Sequence, residues 1–167
     1  GEFQPFADFV EQHQLSLFDN RDAKTATELV IKSVLATLLF DNTFYVTDSE
    51  TALQRRYADF TMIVRSDKRQ LQLFDILIEF KYLKLGEVKL ERGEKFTGEI
   101  AKSLTLGELK VLPAVQAALT QATTQLQSYR PLLQKAYSYP LRLRVYAVVA
   151  VGFERLVWEE VEAVSTP

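Results

Sequence analysis

The chain has 167 residues, with 20 lysines and arginines against 22 aspartates and glutamates, one histidine and no cysteine, for a net charge of −2. That length fits one domain with room for a short extension. The missing cysteines exclude disulfides, thiolate zinc sites and cysteine nucleophiles. The lone His13 argues against Ser-His-Asp chemistry, and the near-balanced charge means that a nucleic-acid partner needs a local basic patch.

Gly1-Glu2-Phe3 reads as a cloning scar, and residues 1–22 as an N-terminal extension or linker from a preceding module. Within them Phe6, Phe9, Val10, Leu15 and Leu17 are spaced for a short helix, and Asn20-Arg21-Asp22 reads as a break. The domain proper is expected over 23–167. From Ala23 to Phe40 apolar residues recur at spacings of three and four (Thr27, Ile31, Val34, Leu35, Leu38, Leu39), the period of a helix. Glu28, early in that helix, complements the helix dipole.

Phe44-Tyr45-Val46-Thr47 is a β-prone run leading into Asp48-Ser49-Glu50, followed by a polar stretch from Thr51 to Arg56. Tyr57 to Val64 alternates like a strand, Ser66 to Gln70 reads as a turn, and Leu71 to Leu83 is a second strand of the same hairpin. Leu85 to Leu112 mixes acidic and basic residues with four glycines, and is expected to be an exposed, irregular insertion with one short helix near 97–104.

Pro113 suits the first turn of a helix, and Val115, Ala118, Leu119, Ala122, Leu126 and Tyr129 extend its stripe to about Arg130, where Pro131 is expected to break or restart it. Gln125 lies on that stripe. It is either a core amide bonded to backbone or an amide aimed into a polar site, because an unpaired one costs roughly 1–3 kcal/mol. Leu141 to Val151 is so apolar that it predicts an interior strand, and Leu156 to Val161 an edge strand. The order helix, three strands, insertion, helix, strand, strand predicts an α/β sandwich around a mixed sheet. No apolar run reaches the ~18 residues of a membrane span, and no signal peptide is visible, so no membrane partner and a cytoplasmic setting are expected.

The stretch Ile76 to Tyr82 holds the chemistry. Side chains alternate along a strand, so Ile76, Ile78, Phe80 and Tyr82 share one face, while Leu77, Glu79 and Lys81 share the other. A Glu-x-Lys pair is commonly a solvated surface pair contributing little. Here, antiparallel pairing through the 66–70 turn brings the 57–61 region opposite roughly 75–81, so Asp59 sits within reach of Glu79 if both face the same way. Two carboxylates and an ammonium then converge on one place, and carboxylates favour hard cations such as Mg²⁺ or Mn²⁺.

Asp59 followed about twenty residues later by Glu79-x-Lys81 resembles the PD-(D/E)XK nuclease superfamily. The further strings Glu28-x-x-x-Lys32, Ser49-Glu50, Arg56-Tyr57-Ala58-Asp59, Ile78 to Lys84, and Ala118-x-x-x-Ala122-x-x-Gln125-x-x-x-Tyr129 are similar to one branch of it. That branch is the nuclease-like domain found C-terminal to AAA-ATPase-like modules in many bacteria. The resemblance runs from about Leu15 to Phe153. It departs from the branch at Thr51 to Arg56, where members carry a glycine-rich segment, and in the length of the 85–112 insertion.

The resemblance implies a three-layer restriction-endonuclease-like core with a mixed central sheet. It implies a metal-dependent nuclease in which Asp59 and Glu79 hold Mg²⁺ or Mn²⁺, Glu50 is a further ligand or orients Arg56, and Lys81 acts on the water or the phosphate. Gln125 holds the lysine, the water or the phosphate, and Arg55 and Arg56 are candidate nucleic-acid contacts or solvated loop charges. The implied partners are nucleic acid, DNA ahead of RNA, an AAA-type ATPase module in the full-length chain, and a second copy in a homodimer. The alternative reading is a catalytically inactive binding module on the same fold attached to the ATPase.

Overall fold

The strand Asp75–Leu83 is buried on both faces through its middle, with consecutive side chains serving opposite layers, and this sets the layering. A computed structural model describes residues 3–15, 28–53, 56–90 and 93–162, with backbone alone at 49–53 and 56–58. Strands β1 (Tyr45–Leu53), β2 (Arg56–Val64), β3 (Asp75–Leu83), β4 (Leu143–Val151) and β5 (Arg155–Glu160) form a mixed sheet in sequential order. Only β3 and β4 run parallel, joined by a long helical crossover; the other neighbours are antiparallel. Even-numbered Ile78 and Phe80 pack with Tyr146, Val148 and Ala150 against helices α1 (Gln4–Phe9) and α2 (Glu28–Leu39), through Ala7, Ile31 and Leu35. Odd-numbered Leu77 packs with Val145, Ala147 and Val149 on the opposite face, against Ala118, Ala122 and Leu126 of the long helix α5 (Pro113–Ala136). The chain is therefore a mixed α/β domain with helices on both faces of a five-stranded sheet. Among the described residues no helix is long and apolar enough to cross a membrane.

Several expectations need correcting. The segment read as an extension or linker is part of the core as far as it is described: Phe3, Ala7, Val10 and Leu15 are buried, and Phe3 stacks on Tyr146 at 4.7 Å. Its α1 runs on into a π-turn over Val10–Gln14, and Glu11 accepts from Leu156 N (2.7 Å) and Arg155 Nε. Residues 16–27, including Leu17, the 20–22 break and the start of the second helix, lie outside the described residues.

Within the stretch read as polar, Thr51, Ala52, Leu53 and Arg56 belong to the β1–β2 ladder, which continues to Leu53↔Arg56. The turn between β2 and β3 is longer than predicted: a 3₁₀ helix spans Ser66–Leu71 and the strand starts only at Asp75. Buried Asp75 explains that start. Its carboxylate accepts from Val64 N (2.9 Å), Arg142 N (2.8 Å) and Arg69 Nη1 (2.6 Å), tying three segments together before the strand begins.

As far as it is described, the 85–112 stretch is not an irregular exposed insertion. Val88, Phe96, Ala101 and Leu109 are buried among its charges. Two short helices form in it, α3 (Gly98–Ser103), capped by Thr97, and α4 (Leu106–Lys110), with a reciprocal Thr105–Glu108 cap. Helix α5 passes through Pro131 to Ala136 because Leu126, Tyr129 and Leu133 continue one buried stripe across it, and packing outweighs the lost N–H. Gly152, at φ +57°, turns β4 into β5 and donates from its N–H to Leu83 O at 2.8 Å.

Candidate active site

The β2–β3 ladder is short. Its pairs are Phe60↔Ile78, Thr61↔Leu77 and Met62↔Ile76, and the next residues in register are Asp59 and Glu79. There the side chain of Asp59 takes over from the backbone, its Oδ2 accepting from Phe80 N at 2.8 Å. Glu50 stands at the matching register position on β1, between Ser49↔Phe60 and Thr51↔Ala58. On the other side Glu79 pairs with Ala147, and Ala147 with Glu159 of β5. One row across the sheet therefore reads Glu50, Asp59, Glu79, Ala147, Glu159.

Glu79 is the most sequestered member of the cluster, 2% exposed. Its Oε1 accepts from Lys81 Nζ at 2.8 Å, as their shared strand face requires, while its Oε2 is buried without a partner. Burial and the charge of Asp59 push the Glu79 carboxyl up to about 7, against the pull of Lys81. The group is thus held close to half-protonated at neutral pH, and it binds a cation only by giving up its proton.

Asp59 has a second partner. Lys32 Nζ, reaching from α2, lies 2.6 Å from Asp59 Oδ1 and 2.6 Å from Glu28 Oε1. Burial alone lowers the lysine's proton affinity, but the hydrogen bonds to Asp59 and Glu28 outweigh it and the net direction is up. A narrow cavity of about 100 Å³ between α2 and the sheet reaches Lys32 and Asp59. On the opposite side, Gln125 projects from α5, which packs on the Leu77 face, and its Oε1 is also buried without a partner. Glu159 is held to α5 by Thr123 Oγ1, 2.9 Å from its Oε1.

The structure thus brings together Asp59, Glu79 and Lys81, and places the backbone of Glu50 in their row. The side chains of Glu50 and Arg56, and all of Arg55, lie outside what is described. Lys32 and Glu28 enter the site although sequence reasoning gave Glu28 a helix-dipole role and quoted Glu28-x-x-x-Lys32 only as part of the resemblance, with no site role for either. Their i,i+4 spacing, one turn apart on α2, signals their pairing with each other but not the reach of Lys32 to Asp59. Glu159 was missed as well, because only the strand register reveals it.

Among the described residues no group of three or more His, Asp or Glu side chains is placed to hold a metal ion. The donors that are described are hard carboxylate oxygens, and the buried, unpartnered Glu79 Oε2 suits a divalent cation such as Mg²⁺ or Mn²⁺. Asp59 fits the same role once Lys32 shifts wholly to Glu28. No protein-family model, curated protein or solved structure matches the chain.

Proposed function

We propose that the domain is a metal-dependent hydrolase of phosphodiester bonds in nucleic acid, DNA first, built on a restriction-endonuclease-like core and working beside an AAA-type ATPase module. One observation carries the reading. A carboxylate sealed in a sheet, with one oxygen on a lysine and the other unpartnered, is costly to maintain in a purely structural role. Asp59 and Glu79, with Glu50 at the end of their row, are the residues that would hold Mg²⁺ or Mn²⁺. When bound, such a cation lowers the pKa of a coordinated water and offsets phosphate charge.

The chain's own residues do the rest. Glu79 fixes the Lys81 ammonium at 2.8 Å, a preset donor for a phosphate oxygen as negative charge builds on it. Phe80 N anchors Asp59 Oδ2, so the carboxylate keeps its position while Lys32 bridges its Oδ1 to Glu28. Gln125 brings a second unpartnered oxygen from α5 toward the Glu79 face, able to accept from a water or from Lys81.

The test is cleavage of labelled single- and double-stranded DNA and RNA with Mg²⁺ or Mn²⁺. Lys81→Ala is expected to abolish cleavage while leaving calorimetric Mn²⁺ binding intact. Cleavage that survives Lys81→Ala would sink this mechanism. The second reading, an inactive binding module, is favoured by one observation: Lys32 already neutralises Asp59. It requires that the wild-type protein bind no Mn²⁺ and cleave none of the four substrates.

A further inference from the structure

At the C-terminal ends of β3 and β4, the parallel pair of the sheet, a cleft of about 730 Å³ opens beside the β4–β5 turn and the start of α3. The carboxyl ends of parallel strands are where open α/β sheets hold their ligands. Three exposed lysines from three segments line it: Lys84 just after β3, Lys95 before α3, and Lys102 on α3. Lys102 is neutralised by Glu154 at 2.7 Å. Gly98 makes room for that carboxylate, since a Cβ there would lie 2.6 Å from Glu154 Oε1. Lys84 and Lys95 have no ion-pair partner among the described residues, so even with Glu99 on the wall the cleft keeps an excess of positive charge.

Two further features fit a nucleic-acid strand. Half-buried Tyr82 lines the cleft, offering a ring on which a base can stack. Lys84 follows Lys81 by three residues, roughly 10 Å along an extended strand, so the cleft lies just past the end of the strand that carries Lys81, and a bound strand would reach the site by passing that strand end. Its volume suits one or a few nucleotides of a single strand, not a duplex.

We propose that this cleft binds the phosphate backbone of the single strand adjoining the scissile bond, with Lys84 and Lys95 as the phosphate contacts. The inference rests on the hydrolase reading above and adds where the substrate lies. The experiment is fluorescence anisotropy of labelled single-stranded and duplex oligonucleotides in EDTA, over a range of salt. It compares wild type with Lys84→Glu/Lys95→Glu, the milder Lys84→Gln/Lys95→Gln, and Lys68→Glu. Lys68 sits in the β2–β3 connection, at the opposite end of β3.

The Gln pair should weaken single-strand binding and lower the slope of log affinity against log salt by about 1.4, two contacts at about 0.7 each. The Glu pair should weaken it tenfold or more, and Lys68→Glu should leave it unchanged. Circular dichroism and Mn²⁺ binding should match wild type in every variant. Wild-type binding that both double variants retain in full overturns the cleft and leaves the hydrolase reading standing. Tighter capture of duplex than of single strand overturns the single-strand assignment. A wild type that binds no nucleic acid in any form overturns the cleft and the hydrolase reading together.

Discussion

Glu79→Gln puts a number on the cost of sealing a carboxylate in the sheet. In the folded domain its carboxyl is raised from the ordinary 4.5 to about 7 by burial and by Asp59. At about 1.36 kcal/mol per pH unit, that rise of roughly 2.5 is worth on the order of 3 kcal/mol. The sign follows from proton uptake. Below pH 4.5 Glu79 is protonated whether the chain is folded or not, and its contribution is fully present. Between 4.5 and 7 the unfolded chain gives up the proton while the folded one keeps it, so stability drains away as pH rises; above 7 the loss is complete. Glutamine imitates the protonated form and should remove this slope.

Thermal unfolding in EDTA at pH 5, 6, 7 and 8 measures it. For a chain of this size about 3 kcal/mol corresponds to roughly 6–12 °C in Tm. Wild type should therefore lose about that much relative to Glu79→Gln between pH 5 and 8. Added Mn²⁺ should restore wild type at pH 8, where the carboxylate is free to bind it, and leave the Gln variant unmoved. Parallel curves for the two proteins, or a Gln variant far less stable than wild type at pH 8, would refute the reasoning and make Glu79 an ordinary structural partner of Lys81.

Lys32→Met removes the ammonium that competes for Asp59 Oδ1, so Mn²⁺ affinity should rise about tenfold by calorimetry, the scale of one charged hydrogen bond; unchanged affinity means that Lys32 does not compete. Phe96→Ala deletes a side chain 2% exposed beneath the 85–112 stretch; it should cost about 3–5 kcal/mol and turn that stretch into the first site of limited proteolysis, which it should not be in wild type. Asp75→Asn disturbs a carboxylate with three partners and no exposure. It should cost about 3 kcal/mol in urea unfolding, with Mn²⁺ binding intact.

The central elements were readable because their patterns are strong. The β3 alternation puts Leu77, Glu79 and Lys81 on one face, and the β4 run from Val145 to Val151 is apolar enough to demand the interior position it holds. The failures share a cause: local signals were overruled by packing. Pro131 looks like a stop, yet Leu133 beyond it is needed in the core. The charges of 85–112 look like a solvated loop, yet Val88, Phe96, Ala101 and Leu109, each isolated in sequence, meet the same cluster as α5. In the site, Asp59 and Glu79 were reachable from hairpin register, whereas the Lys32 contact depends on how α2 crosses the sheet, and no spacing within one element contains that.

The short β2–β3 ladder explains why the site lies where it does, and it decides which variants are informative. An antiparallel ladder that stops early leaves a strand N–H to be satisfied. Here Asp59 Oδ2 satisfies Phe80 N, while Oδ1 faces Lys32. The same side chain therefore closes the sheet and, on the proposed reading, offers a ligand oxygen, so Asp59→Ala confounds the two roles: it strands Phe80 N as it removes the proposed ligand. Asp59→Asn keeps an acceptor for Phe80 N and removes the negative charge. Loss of Mn²⁺ binding with the fold retained in Asp59→Asn therefore speaks for a metal ligand, and loss of both speaks for a strand clamp. Glu79 and Lys81 carry no such backbone duty through their side chains. The weight of the proposed function accordingly falls on those two.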